Sequence, residues 1–583
     1  MTLPNERTIG WREGAFCALV PVLIETLSSW RWFGLGDFRM FPDPDSFMRL
    51  VRLRDIVAAH RPLHAVARDN AGHGTILHWS HLLDSFLLLL AAPFGFFMPD
   101  GAAQHIAGLL FGAISVAALG YACVWAVTPF VRADWRWTAS IAAILAPSVW
   151  AYGLIGVVHH HIPVVLVAVM SGGWAARIVR AESGATTSDG IALGAWAAAG
   201  VWLTPEALPL SALAFGAVFV VWVDRGGLAL ATAMRATGLT LLVLTTAAWF
   251  VDPPAAGHRA VEFGRISIVF VGVAAVFAAL GCALVPIDRR AQSWRRRLIA
   301  AALVGLAAGA LWLLCFPAAL GGSATLMSDT EWHIVFDNIE EMLPVTTMAG
   351  VMAYLLTALL GLLFLAWLAI RHRSVVLAYA FTGMALLIVF GALHVRFSPY
   401  PEAAAALLVP VVLDRLRRQW LVAPIGIAVL VLVVPLSTVA MEAAKPAKTG
   451  PSCEIGGMTD MLAPFGDAVV LANVNIVPEL LYRTQLKTVG SLYSFDPRAF
   501  LRLRAAWRSQ PGTAWTDTTP PPEVLATEAT LLIFCPAPGR SLMVADLPEG
   551  TLMDWLSWGH IPPWLKEVAR DKASGNIVYR IRL

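Results

Sequence analysis

The sequence predicts a polytopic α-helical membrane protein of about thirteen transmembrane helices, ending in a C-terminal periplasmic α/β domain. Three observations predict it. Hydrophobic residues make up 58% of the chain and charged residues 14%, against about 25% charged in a soluble domain. The mean hydropathy is +0.68. Apolar stretches of membrane-spanning length recur along the chain, and the loops between them are alternately rich and poor in arginine. Together these exclude a large soluble enzyme.

The elements follow in order. Residues Met1 to Glu13 are polar and precede an apolar run with no small-residue cleavage site behind it, so the first helix is expected to be retained. Spans are expected to centre at about residues 22, 115, 144, 170, 196, 215, 243, 275, 307, 358, 383, 408 and 430. One set of loops holds Arg132 and Arg136, Arg177 and Arg180, Arg225 and Arg235, Arg289 to Arg297, Arg371 and Arg373, and Arg415 to Arg418. The positive-inside rule puts these loops and the N-terminus in the cytoplasm and the C-terminus in the periplasm, across an inner membrane. Residues 1–440 form the expected membrane domain, with 37–81 as its first periplasmic loop. The apolar segment from Ser80 to Phe97 is bounded by prolines and is read as interfacial or re-entrant.

From about residue 441 the character changes. Short apolar runs ("AVVLANVNI", "TLLIFCPA", "NIVYRIRL") interleave with a helical "DPRAFLRLRAAWRS". This predicts a soluble α/β domain over 441–583. Six cysteines contain no CxxC pair, which argues against a thiolate metal site. Cys17, Cys123, Cys282 and Cys315 are expected to be packed thiols. Cys453 and Cys535 are candidates for a disulfide in an oxidising compartment. A net charge of +3 is nearly balanced, and no nucleic-acid partner is expected.

The first periplasmic loop breaks the charge rule. It carries six arginines and opens with "FPDPDSFMRL". Other polar residues fall on the same side: "GVVHHHIP" (His159 to His161), "LTPEALP" (Glu206), "DTEWHIVFDNIEEMLP" (Glu340, Glu341) and "HVRFSPYP" (His394, Arg396). Carboxylates with imidazoles can hold a divalent cation. Arginines grip phosphate oxygens bidentately. A cation and arginines facing a phosphate are equipped to break a sugar–phosphate bond. Each residue also has a plainer reading. Asp43 and Asp45 can cap a helix starting near Ser46, the histidines can pack together, Arg396 can snorkel, and Glu206 between prolines can be a turn residue.

Three of these stretches are similar to motifs of the catalytic subunit of oligosaccharyltransferase and, more broadly, of the GT-C membrane glycosyltransferases. "DPDSFMR" resembles the first-loop D-P-x-F-N-Y-R, which places the catalytic carboxylate at Asp43, or at Asp45 in a shifted register, and the arginine at Arg49. "NIEEMLP" resembles S-V-S-E-H-Q-P and carries the acceptor-positioning, metal-linked acid onto Glu341. "VRFSPYPEAAAALLVP" resembles the V-R-L-M-L-x-L-x-P helix start and carries the arginine on the lipid-linked phosphate onto Arg396. The resemblance implies a GT-C-like fold and transfer of a sugar from a polyprenyl-phosphate or -pyrophosphate donor to an acceptor outside the membrane. It implies a divalent cation, Mn2+ or Mg2+, held by Asp43, Asp45, His159, His161 and Glu341, with Arg49, Arg52 and Arg396 on the donor phosphate. The family's second acidic motif is replaced by "VHHHI". Its W-W-D-Y-G string is absent, the nearest strings being "MDWLSWGH" and "PPWLKE", and the acceptor stays open. A non-catalytic binder or transporter of a lipid-linked glycan is the alternative.

Overall fold

In the computed structural model, the described residues are 8–33, 41–322, 327–336, 339–416, 453, 455–494, 496–510, 518–536 and 547–582. The helices begin with α1 (Trp11–Phe33), α2 (Pro44–Ala59), α3 (Leu82–Gly95), α4 (Asp100–Val127), α5 (Ala133–Arg136), α6 (Thr138–Ile144) and α7 (Pro147–Gly153). They continue with α8 (His161–Ala181), α9 (Thr187–Leu203), α10 (Leu208–Arg225), α11 (Leu228–Val251), α12 (Ile268–Arg290) and α13 (Trp294–Cys315). After α14 (Asp329–Phe336) come α15 (Met348–Tyr354), α16 (Leu356–His372), α17 (Val375–Leu393) and α18 (Pro399–Leu416).

Seven of these are long and apolar enough to cross a membrane: α4, α8, α10, α11, α12, α13 and α17. The pair α15 and α16, bent by 71°, makes an eighth if taken as one span. The expected span near residue 144 is instead three short helices, α5 to α7. Ala146 precedes Pro147 and takes an extended conformation (φ −66°, ψ 126°), because a residue before proline is pushed out of the helical region. The expected span near residue 430 lies outside the described residues. Helix α3 has 14 residues, too few for the roughly 20 that a bilayer crossing needs.

Small residues let the helices approach closely. A Cβ on Gly120 of α4 would stand 2.3 Å from the carbonyl oxygen of Cys17 in α1, and one on Gly238 of α11 would stand 2.6 Å from that of Phe277 in α12. Cys17 and Cys123 are buried, as expected of packed thiols. Cys282 and Cys315 are exposed instead, on α12 and α13, whose apolar stretches are 39% and 6% buried.

Strands β1 (Ala65–Val66) and β2 (Thr75–Ile76) form a small hairpin after α2. The remaining strands are β3 (Val469–Leu471), β4 (Lys487–Thr488), β5 (Leu531–Phe534), β6 (Leu565–Arg570) and β7 (Ile577–Ile581). They make one sheet in the order β4-β3-β5-β7-β6. β3 pairs in parallel with β4 and β5, whereas β7 is antiparallel to both β5 and β6. Trp507, Trp564, Phe500 and Tyr579 fill its core. Cys453 and Cys535 are disulfide-bonded, with Cα atoms 5.6 Å apart.

The segment after α2 is fastened to this sheet. Asp69, fully buried, accepts from Thr488 Oγ1 at 2.8 Å and Ser491 Oγ at 2.6 Å. Arg68 donates to the Thr484 carbonyl at 2.6 Å, and Arg54 to that of Tyr482 at 2.6 Å. Buried backbone carbonyls need such donors. These bonds bring residues 490–494 over the start of α2.

Candidate active site

The site begins with a helix start. Asp43 is the N-cap of α2, with Pro44 at its first position, where a missing N–H costs nothing. Its Oδ1 accepts from Ser46 N at 2.8 Å and its Oδ2 from Ser46 Oγ at 2.6 Å. Ser46 Oγ in turn accepts from Val158 N at 2.8 Å, which draws the histidine segment onto α2. The capping role expected of Asp43 and its place in the site are therefore one arrangement.

His159 Nε2 then lies 2.8 Å from Asp43 Oδ1 and 3.6 Å from Asp45 Oδ2. Asp45 Oδ1 accepts from the Tyr493 hydroxyl at 2.7 Å. His161 Nε2 stands 3.5 Å from Glu341 Oε2, which also accepts from Tyr152 at 2.9 Å. Glu341 Oε1 is 3.6 Å from Arg396 Nη1, and Arg396 Nη2 is 2.8 Å from Glu206 Oε1. Helix-start and loop residues from positions 43 to 493 thus meet in one polar centre.

Charge follows from geometry. Burial opposes the charged form of His159, yet the carboxylates of Asp43 and Asp45 prevail and push its pKa up to about 9. Burial would raise Asp43, but His159 and the Ser46 donors bring it below the usual carboxylate value. Asp45 is raised by burial, with His159 opposing and the Asp43 and Glu341 charges adding to the rise. Glu341 is held well below its usual value, against burial, by Arg396 and His161. Burial keeps His160 neutral, far below the usual histidine value.

The structure brings together Asp43, Asp45, His159, His161, Glu341 and Arg396. It directs Arg49 and Arg52 elsewhere. Arg49 Nη1 pairs with Asp84 Oδ1 at 3.1 Å, and Arg52 Nη2 with Asp84 Oδ2 at 2.5 Å, with all three side chains at most 3% exposed. Arg52 also donates to the Trp79 and Ser80 carbonyls at 3.0 and 3.1 Å. Arg52 therefore pairs with Asp84 and is fully enclosed, apart from the carboxylates of the centre. Glu206 is the turn residue expected, in the 3-10 turn Pro205–Ala207, and it is in addition a partner of Arg396. Tyr493, Tyr152 and Asp84 carried no local signal, since each acts on a residue remote in sequence.

One ligand atom each from Asp43, Asp45 and His159 lies within 4.8 Å of the others, close enough to converge on one cation. The oxygen–imidazole donor set suits Mn2+ or Zn2+. The residues present fit a divalent ion. A second group, His64, His81 and Asp252, is equally close, but its atoms are engaged. Arg265 lies 2.7 Å from His64 Nδ1, and Asp252 Oδ2 accepts from His81 N at 2.7 Å and Trp202 Nε1 at 3.0 Å. That group staples two loops.

No family model matches the chain, and a search of curated proteins finds no match. Solved structures do match. The archaeal oligosaccharyltransferase AglB from Archaeoglobus fulgidus, in complex with an inhibitory peptide and a dolichol-phosphate, aligns with TM-score 0.64 at 14% identity, over 90% of this chain and 70% of that one. The Archaeoglobus fulgidus enzyme tethered to an acceptor peptide with an NVT sequon gives TM-score 0.64 at 13% identity, over 90% and 69%. Its complex with Zn and sulfate gives 0.62 at 12% identity, over 89% and 67%. At these identities the likeness is one of fold, and it agrees with the resemblance carried by the sequence motifs. The chain has the fold of the Archaeoglobus fulgidus oligosaccharyltransferase.

Proposed function

We propose that the chain is a glycosyltransferase that moves a sugar or glycan from a polyprenyl-phosphate or -pyrophosphate donor to an acceptor on the periplasmic face of the inner membrane. The observation that carries this reading is the meeting of Asp43, Asp45 and His159 with Glu341 and Arg396 in one centre. The fold supports it, and so does the dolichol-phosphate bound by the archaeal enzyme. In this reading residues 1–440 are the membrane part and 441–583 a periplasmic α/β part, with the arginine-rich loops in the cytoplasm.

Asp43, Asp45 and His159 would hold the divalent ion, with His161 and Glu341 beside them. The ion would supply positive charge for the departing phosphate and help orient the acceptor. Ser46 and Val158 fix the Asp43 carboxylate, so no reorganisation is needed when charge develops. Tyr493 holds Asp45 by one oxygen and leaves the other to face His159. Of Asp43, Asp45 and Glu341, Asp45 is the one whose pKa is raised, chiefly by burial, and it is suited to take the acceptor's proton. Arg396, kept in place by Glu206 and Glu341, meets the negative charge of the leaving group.

Titration of the purified protein with Mn2+ tests the ion site. One bound ion per chain, lost in Asp43→Ala, is expected; binding equally tight in that variant contradicts the assignment.

A further inference from the structure

The segment from Leu77 to Ser80 is held by its backbone. Arg265 donates to the Leu77 carbonyl at 2.6 Å, and Arg52 to those of Trp79 and Ser80 at 3.0 and 3.1 Å. Ser80 Oγ donates to the Leu203 carbonyl at 3.2 Å. From this fixed segment two side chains reach Tyr493. His78 Nδ1 lies 3.1 Å from the Tyr493 carbonyl oxygen. The Trp79 ring meets the Tyr493 ring edge-on, with centroids 5.3 Å apart, and the Arg49 guanidinium lies over Trp79 at 4.3 Å.

Tyr493 lies in irregular chain beyond β4, where no ladder fixes its backbone. Its hydroxyl nevertheless donates to Asp45 Oδ1 at 2.7 Å. Burial, with the charges of Asp45, Asp43 and Glu341, holds its pKa well above the usual tyrosine value, so it keeps the proton that it donates. The place of that hydroxyl depends on the backbone and on the ring plane, and His78 and Trp79 act on one each. A carbonyl oxygen only accepts, so Nδ1 of His78 carries the hydrogen. Burial and the charges of Arg396, Arg265 and Arg49 bring the His78 pKa down to about 4, against the bond to Tyr493. The ring is therefore neutral and sets Tyr493 without adding a charge near Asp45. Arg54 and Arg68 also donate to carbonyls of the C-terminal part; His78 differs in holding a residue whose own side chain enters the centre.

We propose that His78 is a positioning residue for the transfer: by holding the Tyr493 carbonyl, with Trp79 against the ring, it fixes the hydroxyl that orients Asp45. This rests on the glycosyltransferase reading, in which Asp45 helps to hold the divalent ion. Partners that orient an ion's ligands are each worth about 10–100-fold in affinity, and a partner that acts through Tyr493 loses its effect once the Tyr493 hydroxyl is gone.

Mn2+ titration of the full-length protein in detergent tests this as a double-mutant cycle. His78→Phe keeps a ring and removes the donor; it is expected to weaken Mn2+ binding about tenfold in the wild type and not at all in Tyr493→Phe. His78→Asn, whose amide can donate to the same carbonyl, is expected to restore most of the affinity, and His78→Ala covers the case in which His78→Phe fails to fold. Loss by the same factor in both backgrounds, or no loss in the wild type, overturns the positioning role alone. A wild type that binds no Mn2+ overturns the ion site of the glycosyltransferase reading as well.

Discussion

Nε2 of His159 lies 2.8 Å from Oδ1 of Asp43, so a proton sits where a cation would go. The pKa of His159 is about 9, and a cation must expel that proton to bind the nitrogen. Rising pH removes the competitor. Mn2+ affinity is therefore expected to climb about tenfold per pH unit below the His159 pKa, and the slope should vanish in His159→Ala. Isothermal titration at several pH values reads both; affinity that does not change with pH contradicts the ligand role of His159.

The Tyr493 hydroxyl donates to Asp45 from far along the chain. A hydrogen bond to a charged group contributes about 1.5–3 kcal/mol. Tyr493→Phe should lower the melting temperature by the loss of that bond and slow turnover at least about tenfold. Wild-type turnover in this variant would show that the bond serves only to dock residues 490–494.

Asp84 is the acid that faces both Arg49 and Arg52, inside the protein. Its removal leaves two enclosed guanidinium ions without a counter-charge. Asp84→Ala is expected to lose about 3–5 kcal/mol of stability, read as a lower melting temperature in detergent. Arg52→Met with Asp84→Ala should recover part of that loss, because one uncompensated ion is then gone.

The Cys453–Cys535 link joins the two ends of an 82-residue separation. Maleimide should label neither cysteine until a reductant is added. Cys453→Ser should lower the stability of the sheet by about 2–4 kcal/mol, measured as faster proteolysis of the C-terminal region.

Gly120→Ala tests the contact of α1 with α4, because the new methyl would meet the Cys17 carbonyl at 2.3 Å. Overpacking of this kind costs about 1–3 kcal/mol. An unchanged melting temperature would mean that α1 shifts freely.

The sequence showed what local pattern can carry. Asp43 with Pro44 marks a helix start, the HHH triplet interrupts an apolar run, and Glu341 and Arg396 stand beside helix ends. The structure gathers all of them. Partnerships across the chain left no local trace, so Tyr493 and Tyr152 went unseen and Glu206 showed only its turn. Arg49 and Arg52 broke the charge rule of their loop, which pointed to an anionic substrate. Their nearest answer was an acid one turn into α3, and its helix looked merely apolar. Span length misled at residues 133–153, where hydropathy was sufficient but Pro147 divided the helix.

The central claim is that this centre releases a polyprenyl phosphate. Incubation of the purified protein with short-chain polyprenyl-linked sugars, with and without Mn2+, and mass spectrometry of the lipid products tests it most directly. The account predicts ion-stimulated release that is lost in Asp43→Ala and Glu341→Ala. Donor binding without release across a range of sugars and acceptors, unchanged in both variants, would contradict it and leave a protein that carries lipid-linked glycans instead.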